Sequence, residues 1–221
     1  MWLMVDWRQV FKQDLIYLVY GGPLVGKTRL AVNIADADLK AGRRVVYVNT
    51  ELNNKPILNR IKPHVGELIE EYDAEALWDW ARGFTVKGPT TVIVDSLGGL
   101  RLNYIAEYGV GGPPDTVKVS LLVTGVVHNL AQRWMGNPLK VVLLSHESPA
   151  FKESFHGEDG YPTSAWKAIH DVSLVVRLIA REVTEGGAVR VERVGKIVED
   201  RYGIILKNNA ERVFNLPEPL F

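Results

Sequence analysis

The run Gly21-Gly22-Pro23-Leu24-Val25-Gly26-Lys27-Thr28 constrains this chain more than any other stretch. It fits the spacing G-x-x-x-x-G-K-[ST], and it lies between an apolar run from Leu15 to Tyr20 and an amphipathic run that starts at Thr28. Glycine is needed because the turn demands unusual φ/ψ and because a Cβ would keep backbone N–H groups away from an anion. In such a loop the lysine reaches the β and γ phosphates of a nucleotide, the threonine holds Mg²⁺, and the next helix aims its positive end at the phosphates. Gly21, Gly22, Pro23, Leu24, Val25, Gly26, Lys27 and Thr28 are therefore the expected nucleotide-binding residues. A glycine-rich turn with an incidental lysine is the competing explanation, and it leaves the flanking strand and helix without a reason.

The rest of the chain alternates strand and helix patterns. Leu30, Ile34, Ala37 and Ala41 recur at helical spacing up to Gly42, and the β-branched run 43–49 has the density of a buried parallel strand. A short helix is expected from Pro56 to Lys62, ended by Pro63, and a second over 73–82 with Asp73 as its cap. Thr90 to Asp95 reads as a core strand, 98–114 as a glycine-rich mobile loop, and 116–135 as a long helix capped by Asp115. Lys140 to Leu144 is the next strand, 148–169 a second long loop, and 172–181 with 188–194 a hairpin turned by Glu185-Gly186-Gly187. Short edge strands are expected at 204–206 and 212–214. The predicted architecture is α/β, a mainly parallel central sheet flanked by helices with an antiparallel C-terminal hairpin extension, in one domain over 1–221.

Open α/β sheets bind ligands at the carboxyl ends of their strands, and four candidate sites fall there. The first is the loop itself. Glu51 follows the second strand, where a carboxylate would act as general base on the water attacking a γ-phosphate, or merely cap the next helix. Asp95, closing Thr91-Val92-Ile93-Val94, would anchor Mg²⁺ together with Thr28, with Ser96 assisting; the alternative is a turn cap. Ser145-His146 ends the fourth strand, where His146 would sense the γ-phosphate or sit on the surface without a task.

These segments, taken in order with Val46-Tyr47-Val48-Asn49-Thr50-Glu51 and Val92-Ile93-Val94-Asp95-Ser96-Leu97, resemble the ATPase core of the RecA/RadA recombinase superfamily, which includes RadB- and KaiC-like proteins. The resemblance covers about residues 15 to 180. It implies a RecA-like P-loop fold, ATP and Mg²⁺ as ligands, Glu51 as the water-activating acid and 98–117 and 148–169 as two DNA-binding loops. His146 stands where recombinases usually carry a Gln that couples ATP to DNA. In 197–203, Arg201 matches the arginine finger that KaiC-like proteins insert into a neighbour's site, although the lysine two residues earlier is Glu199 here. The alternative for Arg201 is a surface residue of an edge hairpin. No separate N-terminal DNA-binding domain or linker with a polymerisation motif is expected, so strand exchange by this chain alone is not.

Two functions of different class follow. One is an ATPase that acts in or modulates DNA recombination or repair, contacting single-stranded DNA through Arg101, Tyr104, Lys152, Phe155, Trp166 and Lys167, where bases and aromatics mix. Its partner would be a recombinase or another copy of the chain. The other is a KaiC-like ATP-dependent assembly module that does not touch DNA. Lys plus Arg equals Asp plus Glu at 26 each, so no global field draws in nucleic acid and any DNA contact must be local. No cysteine is present, and no apolar stretch is long enough to span a bilayer; a cytoplasmic protein without membrane contact is expected. A guanine-reading Asn/Thr-Lys-x-Asp segment and an arginine-rich kinase lid are both missing from the sequence.

Overall fold

The apolar runs become the inner strands of a ten-stranded sheet. The computed structural model describes residues 3–108, 113–149, 160–162, 166–185, 188–203 and 212–220. The chain begins β1 (Leu3–Met4), α1 (Trp7–Val10), β2 (Ile16–Gly21), α2 (Lys27–Lys40), β3 (Arg44–Asn49), a 3₁₀ segment (Leu52–Ile57), α3 (Leu58–Ile61), a 3₁₀ turn (Lys62–His64) and β4 (Glu67–Glu70). It continues α4 (Ala74–Gly83), β5 (Thr90–Asp95), α5 (Leu97–Tyr108), α6 (Pro113–Trp134), β6 (Leu139–Pro149) and β7 (Gly160–Pro162). After a 3₁₀ segment (Trp166–Asp171) come β8 (Leu174–Glu185), β9 (Ala188–Asp200) and β10 (Arg212–Asn215).

The strands lie in the order β1-β10-β9-β8-β2-β6-β5-β3-β4, with β7 paired to β6. From β8 to β4 every neighbouring pair is parallel, while β9 and β10 are added antiparallel. The expected parallel core with an antiparallel extension is thus the observed architecture. Because side chains alternate across a strand, a run apolar at every position buries both faces. Ile16, Leu18, Val46, Val48, Val92 and Val94 pack with Leu77 of α4, Leu100 of α5 and Val123 of α6. Tyr17, Val19, Val45, Tyr47 and Ile93 pack on the opposite face with Val10 of α1, Leu30 and Ile34 of α2 and Ile61 of α3. Near the amino end, Trp7, Val10 and Phe11 belong to that second core.

Several expectations need correction. The described parts of the stretch 98–114 are helix: α5 occupies Leu97–Tyr108 and α6 opens at Pro113, so its two prolines sit in a first turn, where no N–H is required, and Asp115 is not the cap; 109–112 lie outside the described residues. Leu97, Leu100 and Tyr104 are buried at helical spacing, and Gly98 and Gly99 lie inside the helix and pack closely on His146 and Glu51. The helix expected from Pro56 to Lys62 breaks into 3₁₀ turns on either side of one α turn, and the final turn runs through Pro63. Strand β4, Glu-Leu-Ile-Glu, was not anticipated because an edge strand with charged ends carries little pattern. Strand β6 extends through His146 to Pro149, and part of the second expected loop is β7. Residues 204–206 lie outside the described residues.

One buried ion pair ties the amino ends of the parallel strands to α2. Lys140 Nζ, on a residue 2 % exposed, donates to both carboxylate oxygens of Asp38 at 2.8 Å, and Thr91 Oγ1 donates to Asp38 Oδ2 at 2.7 Å. Removing one member leaves the other charge buried, which costs about 3–5 kcal/mol, whereas replacing both by apolar groups is far milder. Lys140→Met is therefore expected to lose about that much stability in chemical denaturation, and the double variant Lys140→Met/Asp38→Leu to recover most of it. A single variant within 1 kcal/mol of the parent would contradict this account.

Candidate active site

The phosphate-type loop leaves β2 and turns directly into α2, with Gly26 as the helix N-cap at φ 100° and Leu24 also at positive φ, 59°. A side chain is excluded at two of its glycines, by backbone contact at Gly21 and by the positive φ at Gly26. A Cβ on Gly21 would stand 2.6 Å from the carbonyl oxygen of Leu178, and one on Gly26 would stand 2.7 Å from Leu216 Cδ2. Val25 is buried and anchors the loop, while Pro23 and Leu24 are exposed at its tip. Lys27 is buried and folds back along the loop, its Nζ donating to Gly21 O at 3.0 Å and Gly22 O at 2.8 Å. Burial lowers its pKa, against the charges of Glu51, Asp95 and Glu147, so the lysine sits under the influence of all three carboxylates.

Asp95 is the most constrained member. It is 1 % exposed at the end of β5, and its Oδ2 accepts from Thr28 Oγ1 at 2.7 Å, Tyr47 OH at 2.6 Å and Asn54 Nδ2 at 3.2 Å. Burial and the neighbouring Glu51 charge push its pKa up to about 6, despite the hydrogen bonds from Tyr47 and Thr28 and the Lys27 charge. Thr28 and Asp95 thus bring a hydroxyl and a carboxylate oxygen together beside the loop. This is a hard oxygen donor set of the kind Mg²⁺ takes when a substrate's phosphates and water supply the remaining positions. No cluster of three His, Asp or Glu side chains competes as a metal cage among the described residues.

Glu51 follows β3 and faces the same space. Its Oε1 lies 3.0 Å from His146 Nε2 and accepts from the Ser96 hydroxyl. Burial opposes its charge, but the bonds from His146 and Ser96 and the charges of His146 and Lys27 prevail and hold the carboxyl below its ordinary range. Glu51 is consequently ionised at neutral pH, as a general base must be. Glu147, next along β6, pairs with Arg177 of β8 at 2.6 Å.

The sequence-derived residues are gathered unevenly. Lys27, Thr28, Glu51, Asp95 and His146 converge. Arg201 does not join them within its own chain: Asp200 pairs with Leu174, at the end of β8 remote from the loop, and the Arg201 guanidinium donates to the carbonyls of His170 and Ile169. Tyr104 is 8 % exposed inside the core of α4, α5 and α6, so it is not a surface for stacking bases. Arg101 is half-buried on α5. Trp166 and Lys167 begin a 3₁₀ segment, and Lys152 and Phe155 lie outside the described residues.

Pattern reading passed over Tyr47 and Asn54 as partners of Asp95, although a lone hydroxyl in the aliphatic run Val45 to Val48 was a signal. It also passed over the C-terminal segment. Leu216 N donates to Arg193 O at 3.1 Å, Arg193 Nε donates to Leu24 O at 3.3 Å, and Asn33 Nδ2 donates to Glu218 O at 3.1 Å. These bonds lay 216–220 against the loop and α2, enclosing a mostly apolar cavity of about 140 Å³ lined by Thr28, Arg29, Asn33, Ile57, Pro219 and Leu220. Among the described residues no helix is long and apolar enough to cross a membrane. No protein-family model and no curated protein matches the chain.

The position of Asp95 makes stability depend on pH. Its folded pKa of about 6 exceeds the ordinary value of 3.8, so its contribution is fully present below 3.8 and is lost as pH rises through about 6. Asp95→Asn removes the buried negative charge. It is expected to stabilise the ligand-free chain by about 1–3 kcal/mol at pH 7.5 and by much less at pH 4.5 in denaturant titrations. An equal effect at both pH values would contradict the burial argument.

Proposed function

We propose that the chain binds ATP with Mg²⁺ and hydrolyses it through a RecA-like P-loop core. The single observation that carries this reading is the 2.7 Å contact between Thr28 Oγ1 and Asp95 Oδ2, beside a lysine that also feels the charge of Glu51. A glycine cradle, a metal-type oxygen pair and an ionised carboxylate at one rim of a parallel sheet supply what phosphoryl transfer to water requires: phosphate positioning, charge neutralisation and a proton acceptor. The triphosphate would lie along 21–28 with Lys27 turned from the loop carbonyls to the phosphates, and Thr28 and Asp95 would hold Mg²⁺. The cavity bounded by Ile57, Pro219 and Leu220 would take the base. Support for the RecA-like reading is the strand order, in which β6 separates the loop strand β2 from the Asp95 strand β5 and sets His146 between them.

For the biological setting, the DNA recombination or repair role remains our first reading, with single-stranded DNA, a recombinase or a second copy of the chain as partner. One observation favours the KaiC-like assembly reading instead: much of the first expected DNA loop is helix, and its Tyr104 is buried.

Lys27→Ala is expected to weaken ATP affinity by at least tenfold in calorimetry, because it removes the cation that meets the outer phosphates. Glu51→Gln should leave affinity within about threefold and reduce phosphate release by about 10²–10⁴-fold. Turnover of Glu51→Gln equal to the parent would reject the base assignment. Rates measured with and without single-stranded DNA at low salt separate the two settings. Stimulation that fades as salt rises supports the DNA reading, and indifference to DNA together with ATP-dependent self-association supports the assembly reading.

A further inference from the structure

Two donors from different elements meet on one oxygen of Glu51. His146 approaches Oε1 from β6 at 3.0 Å, and the Ser96 hydroxyl reaches the same atom from the start of α5; Ser96 Oγ and His146 Nε2 are themselves 3.5 Å apart. A carboxylate only accepts, so the hydrogen on this ring nitrogen is assigned by its partner. Neither contact falls on Oε2.

The same corner is closed by backbone. Thr50 Oγ1 accepts from Ser96 N at 2.8 Å, and Asn103 Nδ2 donates to Thr50 O at 2.9 Å. Glycine makes the approach possible, since a Cβ on Gly98 would stand 2.1 Å from His146 Cδ2 and one on Gly99 would stand 2.9 Å from Glu51 Cγ. Helix α5 is therefore pressed against both side chains, and the imidazole and the carboxylate are left little freedom to part.

We propose that His146 is a positioning residue for Glu51, holding Oε1 so that Oε2 is the oxygen presented to the attacking water. This rests on the reading of Glu51 as general base. In the step, the water oxygen bonds to the γ-phosphorus while the bond to the β–γ bridging oxygen breaks. The electron pair leaves with ADP, and the water proton passes to Oε2. The imidazole keeps its own proton throughout. A hydrogen bond to Oε1 makes the carboxylate slightly less basic but fixes its direction, and misplacement of a catalytic group by 1 Å can cost about 10²-fold. The other charged groups facing Glu51 are Lys27 from α2 and Asp95 from β5. A sensor that only touched the γ-phosphate would be free of Glu51; this histidine is bonded to it.

The test compares His146→Ala and His146→Gln, whose amide reaches about as far, with the parent for ATP affinity and turnover. His146→Ala is expected to lower kcat about 10–100-fold with affinity within threefold, His146→Gln to recover most of the loss, and His146→Ala to have no further effect in a Glu51→Gln background. Equal kcat in the Ala variant, or a loss that simply adds to that of Glu51→Gln, overturns the proposal. Carbon-13 NMR of the Glu51 carboxyl in the nucleotide-free protein reads the contact without turnover: its titration midpoint should rise in His146→Ala, and an unmoved midpoint overturns the proposal. If the parent binds ATP but does not hydrolyse it, the hydrolytic reading falls by itself and the carboxyl titration alone decides His146. Should the Ala variant fail to fold, His146→Asn, whose amide falls short of Oε1, takes its place in both measurements.

Discussion

A single carboxylate oxygen, Asp95 Oδ2, receives a hydroxyl from α2, a second from β3 and an amide from the 3₁₀ segment after β3. Three consecutive elements are thus tied to one buried atom that lies 41 to 67 residues further along the chain. The contact is costly in isolation, since burying a charge that water would solvate raises the carboxyl's pKa. A protein that retains such a group at the rim of its sheet holds a site whose electrostatics favour the arrival of a cation. A metal would relieve the burial that disfavours the ionised form, and at physiological pH most of the group is already charged. The desolvation that disfavours the ionised carboxyl in the free protein is what a bound cation would offset.

The sheet delivers the remaining groups by topology. Because β2, β6, β5 and β3 are adjacent and parallel, their carboxyl ends open on one side, and each carries one chemical part: the loop, His146, Asp95 and Glu51. The two cores on either face fix the strands from which these parts project. The amino ends are tied by the Lys140–Asp38 pair, at the rim opposite the loop. The C-terminal segment then returns across the sheet to rest on the loop, so the last residues of the chain border the same site as the first motif in it.

Much of this was legible in the sequence because the signals were local. The strands at 15–20, 43–49, 90–95 and 140–144, and the helices after Gly26 and Asp73, announce themselves by period and by caps, and Asp73 does cap Ala76 N at 2.7 Å. The site residues Lys27, Thr28, Glu51 and Asp95 were legible because strand ends in a parallel sheet converge. What failed was long-range. Gly98 and Gly99 look like loop formers, yet they belong to a helix whose neighbours, His146 and Glu51, leave no room for a Cβ. Tyr104 looked like a surface aromatic and is core, because its helix was missed. The hydroxyl of Tyr47 stood out in its aliphatic run, but its partner Asp95 lies 48 residues away, and no local pattern places residues 216–220 against α2.

The most direct test of the account is a structure of the protein with Mg²⁺ and a non-hydrolysable ATP analogue. The account predicts the β and γ phosphates inside the 21–28 loop, Lys27 Nζ moved from the carbonyls of Gly21 and Gly22 to phosphate oxygens, and Mg²⁺ on Thr28 Oγ1 with Asp95 beside it. It also predicts a water between Glu51 and the γ-phosphorus. A nucleotide bound elsewhere, or a γ-phosphate out of reach of Glu51, would contradict it.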